Sequence, residues 1–132
     1  MSPPEPRWLD RLVVEAMHVD QVREHGGLIG LRDENVLESA IARPRQRWHY
    51  DPEADLAELA ATYMYGLCRN HPFQDGNKRV SFLSAVVFLE LNGYSFETTD
   101  EEVVEQTLAL AAGEVSEAML AEWIRSHTQR HE

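Results

Sequence analysis

The 132-residue chain has a single cysteine, Cys68. One thiol cannot build an intramolecular disulfide framework, so the chain fits a reducing cytoplasm rather than the class of small disulfide-stapled secreted domains. Cys68 lies in an apolar helical pattern and reads as a small buried hydrophobe, not a nucleophile. Basic residues are scarce: 12 Lys+Arg against 23 Asp+Glu leave a net charge of −11. Direct nucleic-acid binding needs a basic stripe and is not expected. Long apolar runs are also missing. The greasiest stretch, about Val80 to Leu91, is interrupted by Ser81, Ser84 and Glu90 and is too short to span a bilayer, so no membrane partner is expected. Met1–Asp10 shows no signal peptide or lipidation motif, and its three prolines read as a frayed lead-in.

Familiar ligand spacings are absent too. There is no H-E-x-x-H, and His18, His25 and His49 have no paired ligand at zinc spacing. His127 and His131 stand one helical turn apart, but on a polar terminus that reads as frayed. Gly26-Gly27-Leu28-Ile29-Gly30 fits neither a P-loop nor a dinucleotide fingerprint and reads as a turn between helices. No repeat, low-complexity segment or long linker divides the chain. A single domain over 1–132 is expected, with residues 1–7 and 127–132 frayed.

What remains is helical periodicity. Helices are predicted over Asp10–Glu24, Asp33–Ala42, Asp55–Asn70, Val80–Leu91, Thr99–Ala112 and from Ser116 onward. The pattern at Asp55–Asn70 is the clearest: Leu56, Leu59, Ala60, Tyr63, Met64 and Leu67 form one apolar stripe. Val80–Leu91 is apolar nearly all round and reads as the buried central helix. Val103, Val104, Leu108 and Leu110 or Ala111 are expected to face inward, and Thr99 with Glu102 to make a capping box. Between Arg43 and Pro52 the helical pattern breaks at Pro44. The cationic run Arg43-Pro44-Arg45-Gln46-Arg47 is then either a solvated loop or a contact for an acidic partner or substrate backbone. Trp48 and Tyr50 either clamp a substrate segment or cover the core. The fold class is all-α, a compact six-helix bundle with a central buried helix and a short flap before the motif described next.

That motif is His71-Pro72-Phe73-Gln74-Asp75-Gly76-Asn77-Lys78-Arg79, a loop feeding a helix N-terminus. Free N–H groups and the positive end of a helix dipole make such a place an anion site. Gly76 permits close backbone approach, and Asn77 tolerates unusual dihedrals and can donate through its amide. Arg79 brings a planar fork suited to phosphate oxygens, and Lys78 a compact charge. Asp75 supplies the hard oxygen that a phosphate-bound Mg²⁺ requires. His71 can accept a proton from an attacking hydroxyl. Base, metal ligand and anion cradle together are the parts of phosphoryl or nucleotidyl transfer.

The same residues, matching seven of nine positions as His71-Pro72-Phe73-x-Asp75-Gly76-Asn77-x-Arg79, resemble the signature of the Fic/Doc superfamily. Gly26-Gly27-x-x-Gly30-Leu31-Arg32-Asp33-Glu34, Leu37-Glu38-Ser39-Ala40 and Arg43-Pro44 are similar to the N-terminal half of Doc-type (death-on-curing) toxins, and Leu89-Glu90-Leu91-Asn92-Gly93-Tyr94 to the segment after their motif. The resemblance covers about residues 8 to 125. It implies a transferase that modifies protein hydroxyls, with His71 as base, Asp75 on Mg²⁺, and Gly76, Asn77, Lys78 and Arg79 around ATP. AMP-transferring relatives usually have Gly where this chain has Lys78. Lys there marks the Doc type, in which ATP offers its γ-phosphate. Gly76 leans the other way, since Ala often stands there in Doc proteins. The resemblance further implies elongation factor Tu as target, growth arrest, and a cognate antitoxin whose segment folds over the active-site region. It also makes Arg43–Pro52 the extended flap along which a target segment would lie. The inhibitory Ser/Thr-x-x-x-Glu-Gly/Asn helix of some relatives has no match; Thr98-x-x-x-Glu102 is followed by Val103. An AMP transferase and a catalytically silent antitoxin-binding co-repressor remain the alternatives.

Overall fold

The computed structural model describes residues 4–131. Among them are six helices: α1 (Arg11–His25), α2 (Glu34–Tyr50), α3 (Leu56–Asn70), α4 (Asn77–Leu91), α5 (Asp100–Ala111) and α6 (Glu117–Ser126). The fold is all-α apart from a two-stranded antiparallel ribbon of β1 (Tyr94–Phe96) and β2 (Thr128–Arg130), with Tyr94 opposite Arg130 and Phe96 opposite Thr128.

Most of the helix starts follow from capping chemistry. Asp10, Asp33, Asp55, Thr99 and Ser116 each accept a first-turn N–H through the side chain. Asp55 and Glu58 complete a reciprocal capping box. At Thr99 only half of the expected box forms, because the Glu102 carboxylate turns to Thr98 Oγ1 (2.8 Å) instead. The start of α4 differs from all of these: Gly76 caps it in the left-handed conformation, with no side-chain hydrogen bond.

The stripe on α3 is buried as its spacing predicts. Leu59, Tyr63, Met64 and Leu67 are enclosed, and Ala57, Ala60, Ala61 and Gly66 let neighbours approach closely. Each fully buried large side chain contributes about 2 kcal/mol. α3 packs against α2, α4, α5 and α6. α4 packs against α3, α1, α5 and β1, so the two helices share the centre, although Leu91 of α4 is exposed and its Phe82 and Leu83 are half-buried.

Three expectations need correction. First, α2 does not stop before Pro44 but runs through it to Tyr50. A proline inside a helix costs about 3 kcal/mol, so its neighbours must offset it. Continuation puts Arg43 and Arg47 on one face. There Arg47 reaches Glu58 (2.7 Å), Glu117 (3.0 Å) and Thr62 Oγ1 (3.0 Å), and Arg43 meets Glu117 (2.8 Å). Arg45 approaches Glu5 and lies over the Trp8 ring. The cationic run is thus neutralised internally and is neither a free loop nor an open contact. Trp48 packs edge-on to Trp8 and covers the core, while Tyr50 is 92% exposed. Second, Val104 and Leu108 point outward, at 56% and 54% exposure; Thr107 and Leu110 take the buried face of α5. Third, the described parts of both ends are tied down. Arg7 exchanges two hydrogen bonds with the Asn92 side chain, Trp8 stacks on Phe88, and Leu9 N–H donates to the buried Tyr63 hydroxyl (3.0 Å). At the other end β2 forms, His127 bonds the Trp123 carbonyl, and His131 N–H donates to Gly93 O (2.8 Å). Residues 1–3 and 132 of the expected frayed ends lie outside the described residues.

Candidate active site

The motif loop joins the end of α3 to the start of α4, and three other segments hold it. His71 caps α3 with φ 49° and ψ 62°, the one non-glycine at positive φ among the described residues. Arg32 fixes this left-handed turn, donating from Nε to His71 O (2.5 Å) and from Nη2 to Asn70 O (2.7 Å). A cation on the last carbonyls also suits the negative end of the α3 dipole.

The segment before α2 then runs antiparallel to the loop. Arg32 N–H and Asp33 N–H donate to Pro72 O, Leu31 bridges Phe73, and Gln74 N–H donates to Gly30 O (3.0 Å). The extended strap beside the motif is therefore Gly26–Asp33, and not Arg43–Pro52 as expected. Its glycines do more than turn the chain. A Cβ on Gly27, at φ 116°, would sit 3.0 Å from Asp75 Cβ, so only glycine permits this approach. Next to it Leu28 N–H donates to Asp75 Oδ2 (2.6 Å).

Inside the loop, Phe73 is buried and pinned from two sides. The Asn77 amide accepts from Phe73 N–H and donates to Phe73 O, both at 3.0 Å. Asn77 was expected to use its side chain on a ligand; the structure spends that side chain on shaping the turn. From α1, His18 stacks on the Phe73 ring, with centroids 4.0 Å apart and planes within 9°, and its Nε2 lies 3.1 Å from Asp75 O. Burial pushes the His18 imidazole below its ordinary pKa, against the partial counter-effect of Asp75.

This scaffolding leaves the start of α4 open. The first α4 hydrogen bond is Val80 N–H to Gly76 O (3.0 Å), and the N–H groups of Asp75, Gly76, Asn77, Lys78 and Arg79 have no acceptor among the described residues. Arg11, Arg43, Arg45, Arg47 and Arg125 are all paired with carboxylates. Lys78 and Arg79 are exposed and have no carboxylate at ion-pair distance among the described residues. Gly76, Asn77, Lys78 and Arg79 face one cleft of about 710 Å³, whose other walls include Phe82, Val103 and Leu108, with Asp100 and His25 beside them. Four of the six expected site residues thus share a cleft. His71 and Asp75 do not line it. They sit on the loop leading into it, His71 exposed and Asp75 half-buried with Oδ1 free of hydrogen bonds among the described residues.

Sequence reasoning missed Arg32 and the role of His18. Arg32 gave no periodic signal, because it acts from an extended strap. His18 did: it sits four residues from both Val14 and Val22 on the buried stripe of α1, where a polar side chain needs a partner. The stretch nearest to an inhibitory motif is a local clamp. Glu102 accepts from Thr98 and from Trp123 Nε1 (3.4 Å), which holds its carboxyl below the usual range.

The pattern of the Fic/DOC family matches residues 8–89, a span that contains the strap, the loop and nearly all of α4. The chain is similar to the protein kinase doc of Escherichia phage P1, with 36% identity over 110 residues covering 83% of this chain and 86% of that protein. It is also similar to Toxin Doc of Mycolicibacterium smegmatis, 39% identical over 69 residues, 52% of this chain and 53% of that protein.

Proposed function

The chain belongs to the Fic/DOC family, and from that premise we propose that it is a Doc-type toxin. In this reading it is a protein kinase that transfers the γ-phosphate of ATP to a Ser or Thr hydroxyl of a translation factor, elongation factor Tu. Growth stops unless a cognate antitoxin binds the protein, which in this reading works in the cytoplasm. The observation that carries the reading is the start of α4: amides and two cations without partners among the described residues stand at one cleft, on a loop that begins with an imidazole held in a left-handed turn.

The residues fit a nucleotide and its metal. Free N–H groups at a helix N-terminus suit phosphate oxygens. No three His, Cys, Asp or Glu side chains converge on a metal position among the described residues. Asp75, through Oδ1, would then be the protein ligand of Mg²⁺, with phosphate oxygens and water completing its shell. Bound there, Mg²⁺ would neutralise charge on those oxygens. His71 accepts the proton of the target hydroxyl. The new O–P bond forms as the bond from the γ-phosphorus to the bridging oxygen breaks, and ADP leaves with that electron pair. Lys78, Arg79 and the Gly76–Arg79 amides offset the negative charge that spreads over the transferring group.

Lys78 favours phosphate over AMP transfer in this reading, because a lysine side chain at that position would occupy part of the path that a polyphosphate takes in AMP-transferring relatives. Gly76, which leaned toward the AMP reading, is accounted for by its φ of 79°. Control by another chain is supported by the lack of an inhibitory helix and by exposed Val104 and Leu108 beside the cleft. Incubation of the protein with a cell lysate and either γ- or α-labelled ATP tests the reading. Label from the γ position on one target supports the kinase. Label from the α position makes it an AMP transferase. No transfer, with antitoxin still bound, leaves a silent binding module.

A further inference from the structure

We propose that His18 is a positioning residue whose Nε2–H, aimed at the Asp75 carbonyl, turns the Gly76 N–H away from α1 and toward bound phosphate. The inference rests on the phosphate-binding reading above for its ligand, but its geometry is independent of it. His18 is 2% exposed on the inner face of α1, sandwiched against Phe73. A carbonyl oxygen only accepts, so the 3.1 Å contact places the ring proton on Nε2. Asp75 C=O and Gly76 N–H belong to one planar trans peptide and point in opposite directions. Holding the oxygen against α1 therefore directs the hydrogen outward. Gly76, at φ 79°, has two accessible orientations for that peptide, and the glycine itself does not choose between them. Asn77 fixes the loop at Phe73, two residues upstream, and Leu28 N–H holds the Asp75 carboxylate, but neither bonds this peptide. A leucine or phenylalanine would fill the space under Phe73 equally well; only a donor aims the peptide.

Two variants separate aim from packing. His18→Phe keeps a ring against Phe73 and loses the donor, and His18→Gln keeps a donor at similar reach. Three quantities are compared with the native chain: melting temperature, the Gly76 amide resonance without ligand, and affinity for the non-hydrolysable analogue AMP-PNP. His18→Phe should melt near the native temperature, move the Gly76 resonance, and weaken AMP-PNP by about tenfold, the value of one aimed hydrogen bond. His18→Gln should recover most of that affinity and return the resonance toward its native position. The nitrogen spectrum of native His18 should show Nε2 protonated. Finding Nδ1 protonated overturns the proposal whether or not the variants fold. So does an unmoved Gly76 resonance in His18→Phe, or an equal loss in both variants. If the native chain binds no AMP-PNP, the kinase reading fails, while the unliganded Gly76 resonance still decides the role of His18.

Discussion

His71 sits in a conformation that costs a non-glycine residue about 1–2 kcal/mol, and Arg32 holds it there. Strain kept at the proposed base sets stability against activity. His71→Gly should raise unfolding stability by about 1 kcal/mol while abolishing transfer, measured by urea denaturation and label incorporation. A destabilised variant would mean that the imidazole is structural. Lys78→Gly should redirect incorporation from γ- to α-labelled ATP; an unchanged product would refute the role given to that side chain. Tyr63 supplies a pH test. Burial raises its pKa to about 12, although Leu9 N–H donates to the hydroxyl. The folded state thus favours the neutral phenol, and this stabilisation is complete below the unfolded value near 10. It is lost as pH rises through about 10 to 12, so urea midpoints should fall across that window. Tyr63→Phe should flatten the fall while costing about 1 kcal/mol at neutral pH.

At the scale of elements, what could be read from the residues was what local chemistry decides. The α3 stripe and the loop-to-helix motif are short-range patterns, and each appears where its spacing places it. Asp55→Ala should accordingly cost about 1 kcal/mol through the lost cap, plus the exposed pairing to Arg125, read as a lowered urea midpoint. The remainder depended on distant partners. Pro44 signals a helix end by local rules, but Glu58 and Glu117 on α3 and α6 hold Arg47 only if α2 continues. Val104 and Leu108 look like core by period, yet no element of the described chain covers them. β1 and β2 have three residues each, too few for an alternation to register. The strap Gly26–Asp33 looked like a turn because its hydrogen bonds run to residues roughly forty positions away.

At the scale of the molecule, an acidic chain pairs cations of α1, α2 and α6 with carboxylates, while Lys78 and Arg79, among the cations without such a pair in the described residues, stand together at one cleft. Among the described residues no helix is long and apolar enough to cross a membrane. α1, the strap, α3 and α4 converge on a loop of a few residues, so packing energy from the whole core holds in place five N–H groups that have no acceptor among the described residues. The account stands on those amides receiving phosphate. The direct test follows the backbone amide resonances of the protein while Mg²⁺ and AMP-PNP are added. Resonances of Gly76, Asn77, Lys78 and Arg79 should shift together and saturate, and should do so equally in His71→Ala. Shifts that spare these residues, or that cluster elsewhere on the surface, would contradict it.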